Sequence, residues 1–332
     1  MKRCLNILAL LILFSFIGEE LSAQYYRNQG YWKKFRSQLT VGIGTSNFLG
    51  ELGGRDQIGS DFIWDLETKV FKPAFSLGYR YHVSAQASVN TQFSFAVLSG
   101  DDALTKEPFR FNRNLHFRSR IYELSSVFEY VVVNLRPGHR YDLEGVKGQK
   151  PRSVGIFLFA GIGGMKFNPQ AKAGDSWFDL KPLGTEGQNF RDGPDPYSLY
   201  GLVIPMGLGV RWRPSNENYF IGLTIGHRKT FTDYIDDVST VYYDGALLGN
   251  QPGLSDQDNV LAEYFGDPAR GYYIDNDGSE VALVSTGTGA QRGDETDNDA
   301  YLFGQLTFSY AFHKQPYKKV YRRAKRGKRI VF

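Results

Sequence analysis

An all-β fold, an eight-stranded antiparallel transmembrane barrel with long external loops and a basic periplasmic tail, is predicted by three features of the sequence. The chain opens with a secretory leader; eight segments then show apolar-polar alternation or a continuous apolar run; and the gaps between them are alternately short and long, with Asn134 to Ser153 an unusually long turn on the short side. Small outer-membrane barrels combine an even strand number with short periplasmic turns and long outer loops.

The leader is Met1-Lys-Arg3, an apolar run from Leu5 to Ile17 and Leu21-Ser-Ala23, which is a positive n-region, a short h-region and a small-residue cleavage site. Cleavage is expected after Ala23, so residues 1–23 are the signal peptide and 24–36 a periplasmic N-terminal segment. A helix needs about 20 apolar residues to cross a bilayer, more than the run offers, and no other stretch approaches that length. Cys4 is the only cysteine and precedes the h-region, so the mature chain is expected to lack disulfides, thiol nucleophiles and thiolate metal sites.

The barrel is expected over 37–313. Its first segment runs from Gln38 to Leu49, with Leu39, Val41, Ile43 and Leu49 on one face. The second, Phe75 to Val83, sets Phe75, Leu77, Tyr79, Tyr81 and Val83 against Ser76, Gly78, Arg80 and His82. The third, Ala87 to Val97, and the fourth, Arg120 to Val132, repeat the pattern, the fourth with Tyr122, Leu124, Phe128, Tyr130 and Val132 opposite Glu123 and Glu129. The fifth, Val154 to Met165, is apolar on both faces, so its register stays open. The sixth, Leu202 to Trp212, has its apolar row opposite Gly207, Gly209 and Arg211; the seventh, Tyr219 to His227, exposes Ile221, Leu223 and Ile225; the eighth, Tyr301 to Phe312, exposes Leu302, Leu306, Phe308, Tyr310 and Phe312. A β-sandwich shows the same alternation. The leader, the gap lengths and aromatic residues near segment ends (Phe75, Tyr81, Tyr130, Trp212, Tyr310, Phe312) favour the barrel.

A narrow eight-stranded interior is filled by side chains, so inward charges need partners. Arg80, Arg211 and Arg228 are expected to neutralise Glu51, Glu123 and Glu129 as a lumen plug. At the outer end of the seventh strand, Asp233, Asp236 and Asp237 are expected to brace Arg113 and Arg118 as an external clasp, with a partner site as the second reading.

No zinc-protease, phosphate-loop or nucleophile-elbow motif occurs. The five histidines (His82, His116, His139, His227, His313) are dispersed, so no catalytic residue, metal site or cofactor is assigned. The seventh connection, Thr230 to Asp299, is acidic; within it Asp275-Asn-Asp-Gly-Ser-Glu280 resembles part of a calcium loop but lacks the remaining ligand spacing, so a solvated loop is expected, with calcium binding as the second reading.

The precursor carries 39 basic and 35 acidic residues, and nine of the basic ones lie between Lys314 and Phe332 with no acid. A slightly acidic body therefore carries a basic periplasmic tail, 314–332. Lys318, Lys319, Arg322, Arg323, Lys325, Arg326, Lys328 and Arg329 are expected to dock a partner, with Tyr317, Val320, Tyr321 and Ile330 to Phe332 as apolar anchors. Both termini of an even-stranded barrel lie in the periplasm, where nucleic acid is not expected. An acidic periplasmic protein or lipid head groups are the partners of choice.

Three stretches, Val41 to Gly54, Asn112 to Ser125 and Thr230 to Asp244, resemble the PorG-like outer-membrane proteins of the type IX secretion system of Bacteroidota. The string Thr232-Asp-Tyr-Ile-Asp-Asp-Val-Ser239 is the most specific, and the resemblance runs in order through nearly the whole mature chain. It implies an eight-stranded barrel associated with a periplasmic ring of PorK-like lipoprotein and PorN-like protein, supporting export without forming the conduit. A free-standing structural or adhesive barrel is the alternative, and a barrel enzyme with a site in its outer loops ranks below that.

Overall fold

In the computed structural model of the chain, the structure describes residues 31–52, 71–135, 153–214, 218–275 and 277–312. The expected signal peptide, most of the segment 24–36, the turn from Asn134 to Ser153 apart from its ends, and the basic tail 314–332 with its eight docking residues lie outside the described residues.

Eight long strands close into an antiparallel barrel: β1 (Ser37–Leu49), β2 (Lys72–His82), β3 (Ala87–Asp101), β4 (His116–Val133), β5 (Val154–Lys166), β8 (Tyr200–Trp212), β9 (Tyr219–Thr230) and β12 (Ala300–Phe312). Each is hydrogen-bonded to its neighbours in sequence, and β12 closes on β1 in continuous register from Ser37↔Phe312 to Leu49↔Ala300. Closure leaves none of these eight strands at a sheet edge, which is why a barrel tolerates an apolar exterior without pairing to another chain.

Alternation puts the expected rows outside. Leu77 is 54 % exposed, Leu124 60 % and Leu202 70 %. Burying one such side chain is worth about 1.5–3 kcal/mol, so a continuous belt of them is unfavourable in water and suited to a lipid surround. Tyr130, Trp212, Tyr219, Tyr310 and Phe312 ring the belt at the end of the short turns. The ambiguous fifth segment is resolved: Val154, Ile156, Leu158 and Ile162 point outward, while Phe157, Phe159 and Met165 point into the lumen. Phe157 fits inside because Gly209 on the adjacent strand leaves room, a Cβ there lying within 2.4 Å of the ring. Leu302 departs from its expected place and is buried at the upper end of β12.

The strands overrun their expected lengths at the long-loop end. β4 begins at His116 and β3 continues to Asp101, and the two pair to their ends. Above the belt they carry a cap made by the connections, with the hairpin of β6 (Pro169–Ala173) and β7 (Ser176–Asp179), helix α1 (Pro108–Arg113), helices α2 (Gly245–Leu248) and α3 (Asp256–Gly266), and a second hairpin of β10 (Tyr272–Ile274) and β11 (Glu280–Ala282). Each helix begins at a capping side chain: Glu107, Asp244 and Ser255 accept from backbone N–H groups of the first turn.

A hydrophobic core fills the barrel mouth and enters the cap, joining Leu98, Phe117, Ile121, Met165, Tyr301 and Phe303 of the strands to Leu52, Phe167, Tyr197, Ile235 and Val238 of the connections. A second cluster packs α3 on the β6–β7 side through Ala171, Leu180, Leu183, Ala262 and Phe265. The acidic connection expected to be a solvated loop is in part a folded layer, with Ile235, Val238, Leu248 and Phe265 buried, while Asp275 and residues 277–280 are exposed as expected.

Candidate functional site: a charged lumen beneath a braced mouth

Alternation turns Arg80, Glu123, Glu129, Arg211 and Arg228 inward from β2, β4, β8 and β9. Glu129 is 1 % exposed and takes two arginines. Its carboxylate accepts from Arg80 Nε at 2.8–2.9 Å, from Arg211 Nη2 at 2.9 Å and from Ser88 Oγ at 2.9 Å. Arg80 also reaches Gln38 Oε1, Thr40 Oγ1 and Ser309 Oγ at 3.2–3.3 Å, stitching β1, β2, β4 and β12. The Phe157 ring lies 4.6 Å from the Arg211 guanidinium.

A second pair lies higher. Arg228 Nε is 3.5 Å from Glu123 Oε2, which also accepts from Tyr301 OH at 2.8 Å. Arg228 turns back on its own strand to Gly226 O at 2.7 Å, and a Cβ at Gly226 would stand 2.4 Å from its Nη1. Between the two clusters remains a cavity of about 30 Å³ bounded by Thr40, Asn90, Gln92, Thr224 and Gln305, the volume of about one water.

Glu51 does not join these charges. It lies beyond the end of β1, at the mouth, where its carboxylate accepts the N–H of Asp294 and stands 4.0 Å from Arg113. The strand ends at Leu49, so the alternation that would turn Glu51 inward has already stopped.

The expected clasp also has different partners. Arg113 Nε donates to Asp102 Oδ2 at 2.7 Å and Nη2 to Oδ1 at 3.1 Å, and the same guanidinium reaches the carbonyls of Arg292 and Glu51. Burial works against its charge, but Asp102 outweighs that and holds the guanidinium firmly protonated. Arg118 stacks on Trp177 at 3.9 Å and donates to Gln170 Oε1, binding the β6–β7 hairpin to β4. Neither arginine forms an ion pair with Asp233, Asp236 or Asp237.

The cation that serves the Thr230–Asp244 segment is Arg292. Its Nη1 donates to Glu186 Oε1 at 2.8 Å and to the carbonyl of Asp237 at 2.7 Å. Glu186 in turn accepts the N–H groups of Ser239 and Thr240. Asp237, in a left-handed conformation at φ 67°, accepts from Thr185 Oγ1 and Tyr197 OH, each at 2.5 Å. Asp236 accepts Val238 N–H, Asp233 is buried beside Ser239, and Asp299 accepts Ile235 N–H. Burial pushes Asp233 up to about 8, Glu51 to about 7 and Asp237 to about 6. Burial, reinforced by neighbouring carboxylates, holds Asp236 and Asp299 well above the usual carboxylate range. Arg292 had a sequence signal: residues 231–299 contain fifteen acids and two arginines, so each cation there faces many carboxylates. Glu186 carries no such signal, since Arg292 lies 106 positions along the chain.

In the β10–β11 turn, Asp277 accepts from Ser279 N and Oγ, the geometry of a hairpin turn. Among the described residues no three His, Cys, Asp or Glu side chains converge to hold a metal. His82 bonds Gln38 and His116 the backbone of Lys172, on different strands; His139 and His313 lie outside the described residues.

A family profile described as "Domain of unknown function (DUF6089)" matches residues 31–144. Among solved structures the fold is similar to Neisserial surface protein A, at 7 % identity and a TM-score of 0.36 over 83 % of this chain and 97 % of that one. Ail, the attachment invasion locus protein of Yersinia pestis, is similar at 10 % identity and 0.33 over 83 % and 97 %, and the N-terminal β-barrel domain of Pseudomonas aeruginosa OprF at 8 % and 0.30 over 83 % and 98 %. No curated protein matches the sequence.

Proposed function

We propose that the chain is a non-enzymatic outer-membrane scaffold of a type IX secretion complex, docked through its periplasmic end on a ring of PorK-like lipoprotein and PorN-like protein. The observation that carries the anchoring part is the pairing of an apolar exterior with a filled, ion-paired interior: such a barrel holds a place in a membrane and leaves no conduit for cargo. The assignment to the secretion complex is supported by the resemblance of Val41 to Gly54, Asn112 to Ser125 and Thr230 to Asp244 to that family. In this reading the short turns and both termini face the periplasm, the folded cap faces outward, and Lys318, Lys319, Arg322, Arg323, Lys325, Arg326, Lys328 and Arg329 of the tail meet the ring or lipid head groups.

Deleting Gln315 to Phe332 tests it. Membrane insertion and the heat-modifiable shift of the folded barrel persist, while secretion and co-purification of the ring lipoprotein from detergent extract fail. Normal secretion by the deletion overturns the docking role. Full-length chain that brings down no ring lipoprotein leaves the free-standing structural or adhesive barrel as the better reading.

A further inference from the structure

The short-turn end of the barrel is closed by residues 31–36, and that closure leaves a pocket. The Tyr31–Phe35 turn of 3-10 helix lays Phe35 across the opening, edge-on to Phe220 at 5.6 Å, with Ala311 and Leu135 against it. Gln38 Nε2 donates to Phe35 O, and His82 N–H to Arg36 O, tying the segment to β1 and β2. Beside Phe35 a cavity of about 80 Å³ opens between Trp32, Ala85, Val131, Leu135, Phe157 and Phe220. That lies between the ~30 Å³ of a water and the ~150 Å³ of a cavity that takes benzene, the room of one aliphatic side chain.

Among the described residues, charge around this pocket has one sign. Arg211 and Arg213 contribute to its wall, the Arg213 guanidinium 4.2 Å from the Phe35 ring. Lys33 and Arg36, both exposed, stand 5.9 and 5.7 Å from the Trp32 ring at its lip. Among the described residues no acid lines the pocket, and none occurs at this end, 31–37, 82–87, 133–135, 153–154, 212–214, 218–219 and 311–312. Glu129 lies one step deeper and is held by Arg80 and Arg211. The tail 314–332 has nine cations and no acid, so like charge sets it against this rim.

We infer that the pocket at the short-turn end binds an acidic polypeptide segment, taking one protruding apolar side chain beside Phe35 and its flanking carboxylates on Lys33 and Arg36. This deepens the docking reading by naming where and by what chemistry a periplasmic partner is held, and it rests on that reading for the side of the membrane that the pocket faces. An apolar anchor in a pocket ringed by complementary charge is the usual division of labour at an interface, the anchor holding and the rim charges steering.

The test uses the full-length protein folded in detergent and a fluorescein-labelled Glu-Glu-Leu-Glu-Glu peptide, followed by anisotropy. Saturable binding is expected, weakened about tenfold or more by Leu→Ala in the peptide, by the surface double change Lys33→Glu with Arg36→Glu, and by Ala85→Trp, which fills the pocket. A Lys-Lys-Leu-Lys-Lys peptide is expected not to bind. Equal binding of the Ala or Lys peptide, or full binding by both protein variants, overturns the inference. If the acidic peptide binds only after residues 314–332 are removed, the tail is the occupant and the inference also fails. Ring co-purification is scored separately: its loss with peptide binding intact refutes the ring partner and leaves the pocket, and the reverse refutes the pocket alone.

Discussion

Glu129 carries two buried arginines, and its removal leaves both without their carboxylate. Breaking a buried pair by deleting one partner costs roughly 3–5 kcal/mol, so Glu129→Ala is expected to lose that much in urea-titrated unfolding of the detergent-folded barrel, and Glu129→Gln less, because an amide oxygen still accepts. Arg118→Ala, at a half-exposed site bonded to Gln170 and stacked on Trp177, is expected to cost about 1 kcal/mol or less. Comparable losses for the two alanine variants would show that the lumen charges are not special. Residue identities and inward placement of the lumen set were legible in the alternation, since parity within a strand dictates the face. Glu51 was not, because parity ends with the strand. Partner choice was not legible either: Arg80 and Glu129 are 49 positions apart, and nothing local distinguishes Glu129 from Glu123 as the acceptor.

At the scale of elements, the cap is the part whose behaviour depends on solution conditions. Its buried carboxylates titrate near 6 for Asp237, 7 for Glu51 and 8 for Asp233, against about 4 in an unfolded chain. Between those values the native cap binds more protons than the unfolded one, so its stability is full below about 4 and declines as pH rises through that window, with Asp236 and Asp299, also held above the usual range, adding to the decline. Hydrogen exchange of residues 231–299, corrected for the intrinsic pH dependence of the amide, is expected to show protection falling from pH 5 to pH 8 while the barrel strands hold. The double change Asp236→Asn with Asp299→Asn is expected to flatten that slope; a cap equally protected at both pH values would refute it. Arg292→Gln leaves Glu186 buried without its cation and is expected to open the cap to protease, with the barrel retaining its heat-modifiable shift; unchanged cleavage would remove Arg292 from its bracing role. Strand positions were readable because period-two patterning is local, and even the fifth segment's ambiguity reduced to two registers. The seventh connection was read as a solvated loop because its acids dominate locally, and only packing shows that Ile235, Val238, Leu248 and Phe265 order it.

Across the whole molecule, charge separates by end. The short-turn rim and the tail are basic, while the cap sequence from 231 to 299 is acidic by thirteen charges. With the lumen occupied by three arginines, two glutamates and the rings of Phe157 and Phe159, planar-bilayer recording of the purified protein is expected to show no large, steady conductance. Steady openings of porin size would mean that the interior rearranges in a membrane and would sink the scaffold reading with it. The sequence by itself determined the strand count, the outward belt, the inward charged positions and the basic end, all of which follow from period, spacing and composition within short windows. Only the tertiary structure decided which acid meets which arginine, that the long connections build a cap with a core, and that residues 31–36 close one end around a pocket. Those depend on approaches between residues far apart in the chain, and ring closure brings them together through pairings that no local pattern encodes.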